Sequence, residues 1–193
     1  MSWSQLLACE VLLPGDLAVD LTAGKGRDTC RLARAIGPAG QVVAFDLQAS
    51  ALEQAAALLR NHGLVVNCWP GDRALPKQSG VFLVQACHST IGKVLQHPAK
   101  AIMANLGYLP GGDPALITRP DSTLAALQQS LHLLAPRGRL VVTVYPGHPG
   151  GAEEGAAVNA FFCHLTRDHW HVLSLRVVNY SDAPYLLVAE RIV

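Results

Sequence analysis

Short apolar runs alternate with segments of helical periodicity along the chain, and this alternation predicts an α/β fold. Buried strands are predicted at 17–19, 41–45, 81–85, 100–104, 139–144, 170–179 and 185–190. Helices are predicted at 4–11, 30–36, 51–61, 91–96, 123–134 and 153–165, with Ser50 and Ser122 as N-terminal caps. The pattern indicates a doubly wound, mostly parallel seven-stranded sheet with an antiparallel strand near one edge.

The stretch from 64 to 80 has the least decisive pattern. Residues 65–69 could form a strand and 70–73 a turn, whereas 81–85 is the better candidate for the third parallel strand. Because no internal repeat, linker or low-complexity segment interrupts the chain, we expect one domain over residues 1–193.

A glycine-containing loop, DLTAGKGRDT at 20–29, lies between the first strand and the helix that follows it. Glycines allow the backbone to approach a ligand closely, and the unpaired amides at the helix start face that ligand. The second strand ends in Asp46, about 20 residues after the loop, where an acid can accept both hydroxyls of a ribose. The sequence therefore predicts a site for an adenosine-bearing cofactor.

The loop differs from a dinucleotide-binding loop, because Thr22 stands where GxGxxG would have its first glycine. Acids suit a cationic ligand better, and S-adenosylmethionine carries a sulfonium and an ammonium. We expect Asp20 and Asp28 to bind the ammonium and Asp46 to bind the ribose. A nicotinamide or mononucleotide site stays open as an alternative; Asp28 could also be a charge favoured by the helix dipole, and Asp46 a turn acid.

A second informative stretch, NLGYLPGGD at 105–113, follows the fourth strand. Ligands of open α/β sheets lie beyond the carboxyl ends of the strands, so this stretch is expected to face the methyl donor. The amide oxygen of Asn105 can accept hydrogens from an amino group, and Tyr108 can stack on a planar base. After the next strand, His148 could accept a proton or contact a phosphate, or could be an ordinary loop histidine.

Composition narrows the class of protein. Half of the residues are hydrophobic, but no apolar run reaches the length of a membrane span, and the N-terminus lacks a signal-peptide pattern. Five widely spaced cysteines show no metal-ligand spacing, which favours reduced thiols in the cytoplasm. A net charge of +1 argues against wrapping of long nucleic acids but permits a local basic rim.

Four segments, DLTAGKGRDT, NLGYLPGGD, VYPGHPGG and VVNYSDAPYLLVAER, resemble in sequence and order a bacterial group of class I methyltransferases often labelled rRNA methylases. The resemblance runs from about Pro14 to the C-terminus. Characterised members methylate the aminomethyl group at carbon 5 of a wobble uridine in tRNA, often a 2-thiouridine. The resemblance therefore implies S-adenosylmethionine as the cofactor and tRNA as the partner; a homodimer would join two basic rims around it.

The resemblance also implies roles by position. Catalytic roles fall to Asn105, Tyr108 and Asp113, and substrate contacts to Tyr108, Pro110, Tyr145 and His148. The cofactor-binding set is Asp20, Thr22, Ala23, Gly24, Lys25, Gly26, Asp28, Thr29, Asp46, Gln48, His88, Asn105, Leu106 and Gly107.

Several positions depart from the family pattern. Lys25 replaces an asparagine, Arg27 a histidine and Pro146 a histidine, and the stretch from 64 to 80 looks like extra sequence. A cation at Lys25 is unfavourable beside a cationic cofactor unless its side chain points away. Other targets therefore stay open, namely an rRNA base or a small amine, as does a catalytically silent RNA-binding module. A nicotinamide oxidoreductase fits poorly because the dinucleotide glycine is missing.

Overall fold

Eight strands form one sheet in the computed structural model, which describes residues 2–109, 111, 116–180 and 182–193. Their spatial order is β3-β4-β2-β1-β5-β6-β8-β7; β8 is antiparallel to both of its neighbours, and the other adjacent pairs are parallel. The strands are β1 (Leu17–Asp20), β2 (Gln41–Asp46), β3 (Val66–Trp69), β4 (Gly80–Gln85), β5 (Ala99–Asn105), β6 (Leu134–Val144), β7 (Trp170–Leu175) and β8 (Tyr185–Arg191).

Helices cover both faces of the sheet. They are α1 (Trp3–Cys9), α2 (Arg27–Ile36), α3 (Ala49–Asn61), α4 (Ile91–Val94), α5 (Pro120–Leu133) and α6 (Gly151–Cys163), with a short 3-10 helix at His88–Thr90. The first three pack on one face and the last three on the other, so two apolar layers sandwich the sheet. Within β2, the four residues from Val42 to Phe45 are fully buried, which explains why the central strands read as continuous apolar runs.

The predicted α/β class and the antiparallel strand near one edge are confirmed, but the strand number is wrong by one. The additional strand is β3, which pairs only with β4 at the sheet edge. An edge strand carries a weak hydrophobic signal because its side chains are only partly buried. Val65, the residue just before β3, is 64% exposed. At the opposite edge, β7 ends at Leu175 rather than at 179.

Two predicted helix caps are also wrong. Ser50 and Ser122 lie inside the first turns of α3 and α5, because these helices begin at Ala49 and Pro120. In α5 a proline occupies the first helical position, where its missing N–H leaves no donor unsatisfied.

The chain order places a switch point between β1 and β5. From β1 the chain continues to the adjacent β2, then to β3 at the sheet edge, and then to β4, which lies between β2 and β3; it returns to add β5 and β6 on the other side of β1. The connections after β1 and β5 diverge at the carboxyl ends of these strands and leave a crevice, which is where open α/β sheets bind ligands. None of the helices within the described residues is long and apolar enough to span a membrane.

Candidate functional site

A cavity of about 610 Å³ opens at this switch point. Polar and aromatic side chains from several strand ends surround it, and the lining segments are 21–25, 27–28, 45–48, 86–88, 105–109, 116–118, 122, 145 and 148. A volume of this size suits a small-molecule cofactor together with part of a substrate.

The loop after β1 is fixed from below by a buried carboxylate. Asp20 is fully buried; it accepts hydrogen bonds from the Thr22 backbone N–H (3.1 Å) and from the Thr29 hydroxyl (2.7 Å). Burial, followed by the nearby negative charge of Asp28, raises the pKa of Asp20 to about 7. Asp20 therefore shapes the loop from beneath and does not line the cavity.

Two glycines set the course of the same loop. Gly24 and Gly26 have positive φ angles of 49° and 79°, which disfavour other residues. A Cβ on Gly26 would lie 2.8 Å from Ala55 Cβ in α3, so the absence of a side chain allows loop and helix to pack closely. The Gly24 N–H donates to Asp46 Oδ2 at 2.8 Å, which ties the loop to the end of β2.

Asp46 faces the cavity with its carboxylate held in place. Its second oxygen, Oδ1, accepts from the Gln48 backbone N–H at 2.9 Å. Each carboxylate oxygen has a further lone pair, so Asp46 can still accept hydroxyl hydrogens from a ligand.

Three polar side chains form a series that ends at Asn105. Gln5 is the third residue of α1; its Oε1 accepts from the Ser2 N–H (3.3 Å) in a capping box, and its Nε2 donates to Asp28 Oδ1 (2.7 Å). The other carboxylate oxygen, Asp28 Oδ2, accepts from Asn105 Nδ2 at 2.7 Å. Because Nδ2 is committed to Asp28, the amide oxygen of Asn105 is turned away from that carboxylate, and Asn105 itself lines the cavity.

His88 lines the cavity and carries a buried nitrogen without a hydrogen-bond partner among the described residues. Burial lowers the pKa of His88, although the Leu21 backbone and the carboxylates of Glu154 and Asp46 oppose this shift. The ring is therefore neutral near pH 7, and its buried Nε2 has no hydrogen-bond partner among the described residues. A neutral ring beside the cavity avoids repelling a cationic ligand.

The turn after Asn105 packs against a histidine from the loop after β6. A Cβ on Gly107 would lie 3.0 Å from His148 Nε2, and one on Gly151 would lie 2.8 Å from it. Tyr108 contacts the same ring edge-on, with 5.8 Å between centroids. Tyr108 and Tyr145 remain 53% and 41% exposed, so the mouth of the cavity carries two accessible aromatic rings.

A buried carboxylate in α6 joins these two loops. Glu154 is only 2% exposed, and it accepts from the hydroxyls of Thr118 (2.6 Å) and Thr123 (2.7 Å). The Thr118 hydroxyl in turn accepts from the Gly107 N–H at 2.7 Å. Glu154 thus anchors the turn that follows Asn105, although it does not itself line the cavity.

The structure gathers most of the predicted residues around one cavity. Asp20, Gly26 and Thr29 belong to the glycine-containing loop but do not line the cavity. Pro110 and Asp113 fall outside the described residues. Fourteen predicted residues line it: Thr22, Ala23, Gly24, Lys25, Asp28, Asp46, Gln48, His88, Asn105, Leu106, Gly107, Tyr108, Tyr145 and His148.

Sequence reasoning missed Gln5 and Glu154. The S-x-x-Q pattern at Ser2–Gln5 is a capping-box signature that could have indicated how Gln5 is oriented. No comparable signal marks Glu154, because its two threonine partners lie more than 30 residues away in sequence. Among the described residues, no group of three or more His, Cys, Asp and Glu side chains is arranged to hold a metal ion.

Comparison with known proteins gives a family match. The profile of the family described as "Putative rRNA methylase" matches residues 42–191. A chloroplastic tRNA (mnm(5)s(2)U34)-methyltransferase from Arabidopsis thaliana is 35% identical over 187 residues, which cover 92% of this chain and 64% of the relative. The chain therefore spans less than two thirds of the length of that plant protein.

Solved structures match over nearly the whole chain. A "putative rRNA-methylase" from Clostridium thermocellum is 31% identical with a TM-score of 0.86, and the match covers 97% of this chain and 95% of the other. A "putative methyltransferase" from Streptococcus mutans, in complex with SAH, is also 31% identical over the same shares, with a TM-score of 0.80.

Proposed function

Because this chain belongs to the "Putative rRNA methylase" family, we propose that it is an S-adenosylmethionine-dependent methyltransferase acting on tRNA. The acceptor is the aminomethyl nitrogen at carbon 5 of a wobble uridine, with or without a 2-thio group. The name of the Arabidopsis relative supports this acceptor. The observation that carries the proposal is the Gln5–Asp28–Asn105 series, which fixes one amide oxygen at the cavity wall.

The residues present fit the proposed cofactor. S-adenosylmethionine would supply an electrophilic methyl group on a sulfonium. Asp46 can accept ribose hydroxyls, and the neutral ring of His88 beside the cavity does not repel a cationic cofactor. The negative charges of Asp28 and Asp46 favour a cationic ligand in the cavity.

Asn105 is placed to orient the accepting amine. A free alkylamine is mostly protonated near pH 7, whereas a nucleophile needs its lone pair. An amide oxygen that accepts an N–H of the neutral amine restricts the direction of that lone pair. Such positioning supplies much of the rate gain in a displacement that needs no covalent help from the protein.

We propose that the departing proton goes to His148, with Asp113 and bulk water as the alternatives. Its Nε2 has no partner among the described residues and lies beside Gly107, in the turn that follows Asn105. Asp113, the other predicted acceptor, lies outside the described residues.

A matched pair of RNAs tests this proposal. Purified protein is incubated with S-adenosylmethionine and anticodon stem-loops that carry either 5-aminomethyluridine or unmodified uridine at the wobble position. We expect methyl incorporation only into the aminomethyl RNA. Equal incorporation into both, or incorporation only into rRNA or a small amine, would contradict the assigned acceptor. Binding of RNA and cofactor without any incorporation would favour a catalytically silent RNA-binding module.

Two further proposals concern assembly and location. We propose a homodimer because the edge strand β7 leaves Leu173 57% exposed; light scattering after size-exclusion chromatography tests this. We propose the cytoplasm because all five cysteines are free thiols, which suits a reducing compartment.

A further inference from the structure

Charge is divided between the interior and the mouth of the cavity. Asp28 and Asp46 line the interior, with Asp20 beneath the loop. At the mouth, Lys25 and Arg27 are both exposed and both line the opening. The arrangement suits a ligand whose inner part is cationic and whose outer part is anionic.

The two rim cations are available for binding. Within the described residues, neither Lys25 nor Arg27 forms a hydrogen bond or an ion pair. Lys25 Nζ extends across the opening, to 3.7 Å from the position that a Cβ on Gly111 would occupy. Its charge therefore lies at the opening, next to Gly111.

We propose that Lys25 and Arg27 bind the phosphodiester groups that flank the target nucleotide of the RNA. This inference rests on the proposed function. A nucleotide whose base enters an enzyme pocket is turned out of its stack, and its own phosphates then remain at the pocket mouth. Cations beside exposed aromatic rings are the usual means of holding a single strand, and Tyr108 and Tyr145 supply such rings here.

A second anionic group could reach the same cations, namely the carboxylate of the cofactor. The exposure of both side chains and the direction of Lys25 favour the phosphates, which lie outside the cavity. The two sources are separable because phosphate contacts control RNA affinity and its salt dependence, whereas a carboxylate contact controls cofactor affinity.

The test compares the Lys25→Gln/Arg27→Gln double variant with a matched control pair, Lys77→Gln/Arg167→Gln. Both control cations are exposed and lie away from the cavity, at the amino ends of the strands: Lys77 is near the start of β2, and Arg167 is near the start of β7. The probe is a fluorescent anticodon stem-loop with 5-aminomethyluridine at the wobble position. Its affinity is measured by anisotropy at 50 and 200 mM salt, and cofactor affinity is measured by calorimetry.

The salt response gives the expected magnitude. Each phosphate contact on a single strand contributes a slope of about 0.7 in log affinity against log salt. The double variant loses two such contacts, so its slope should be smaller by about 1.4. A fourfold rise in salt should therefore weaken RNA binding by the wild type about sevenfold more than RNA binding by the double variant. The control pair should behave like wild type, and the cofactor affinity of the double variant should stay within about threefold.

Each outcome is decisive. An RNA affinity and salt slope equal to wild type in the double variant would overturn the inference, as would a loss confined to cofactor affinity. Methylation of the same probe by wild-type protein is measured in parallel. If the wild type does not methylate it, the proposed function fails, whereas an active wild type with an unaffected double variant refutes only the phosphate contacts.

Discussion

Substitution of Asp28 tests directly whether the Gln5–Asp28–Asn105 series orients the amide oxygen of Asn105. Asp28 accepts one hydrogen bond from Gln5 Nε2 and one from Asn105 Nδ2, both at 2.7 Å. In Asp28→Ala the Asn105 amide loses the partner that fixes its direction. In Asp28→Asn the new side chain has only one oxygen for the two donors, Gln5 Nε2 and Asn105 Nδ2. If that oxygen accepts from Asn105, the new NH₂ group faces the NH₂ group of Gln5. The other orientation places the new NH₂ group toward Asn105 and favours a flipped Asn105, whose oxygen no longer faces the amine.

The contacts give the size of the effect. A hydrogen bond to a charged group contributes about 1.5–3 kcal/mol, and about 1.4 kcal/mol corresponds to tenfold in rate. Loss of the Asn105 bond should therefore lower kcat about 10- to 100-fold. Asp28→Asn should unfold near the wild-type temperature and yet be as inactive as Asp28→Ala. Gln5→Ala leaves the Asp28–Asn105 bond in place, so its kcat should fall less than about fivefold.

Single-turnover kinetics on aminomethyl-uridine RNA, together with cofactor calorimetry, separates the possible roles. We expect the loss in kcat to exceed any loss in cofactor affinity. An unchanged kcat in both Asp28 variants would refute the reasoning. A loss that appears wholly in cofactor affinity would instead assign Asp28 to the ammonium group of the cofactor.

Three further predictions concern acids at or near the cavity. Asp46→Ala should weaken cofactor binding by roughly 1–3 kcal/mol, and unaltered calorimetric affinity would exclude that contact. Glu154→Gln should destabilise the fold by about 1–3 kcal/mol in urea unfolding, because one threonine hydroxyl then meets an NH₂ group; exposed Glu153→Gln is the control, and equal stabilities would contradict the assignment. The raised pKa of Asp20, about 7, means that the folded protein holds a proton that the unfolded chain releases near pH 4. Stability should therefore fall as pH rises from about 4 to about 7, and Asp20→Asn should lessen that fall; an identical pH dependence would show that Asp20 does not cause it.

The elements that sequence predicts well are those with local signals. The apolar run of β2 and the positive-φ glycines Gly24 and Gly26 determine a strand and a loop within a few residues. The ends of β1 and β5 then meet because they are adjacent in a parallel sheet, and this brings the two predicted segments to one cavity. The predicted family membership is confirmed by the profile match.

The parts that sequence did not predict depend on contacts between distant residues. Gln5 and Asp28 are 23 positions apart, and Asp28 and Asn105 are 77 positions apart, so no pattern reveals that the two bonds share one carboxylate. Similarly, the two hydrogen bonds that Asp20 accepts within the loop were not predicted, and its predicted contact with the ammonium stays a prediction. For β3 the sequence left a strand at 65–69 open and did not count it in the sheet, because an edge strand with partly exposed residues lacks a clear apolar run.

Nucleoside mass spectrometry of tRNA from cells with and without this gene tests the central claim most directly. The account predicts that loss of the gene removes the methylaminomethyl form of the wobble uridine and that the unmethylated aminomethyl precursor accumulates. Return of the gene with Asn105→Ala should fail to restore the methylated nucleoside, whereas the wild-type gene restores it. An unchanged wobble nucleoside in cells that lack the gene would contradict the proposed reaction.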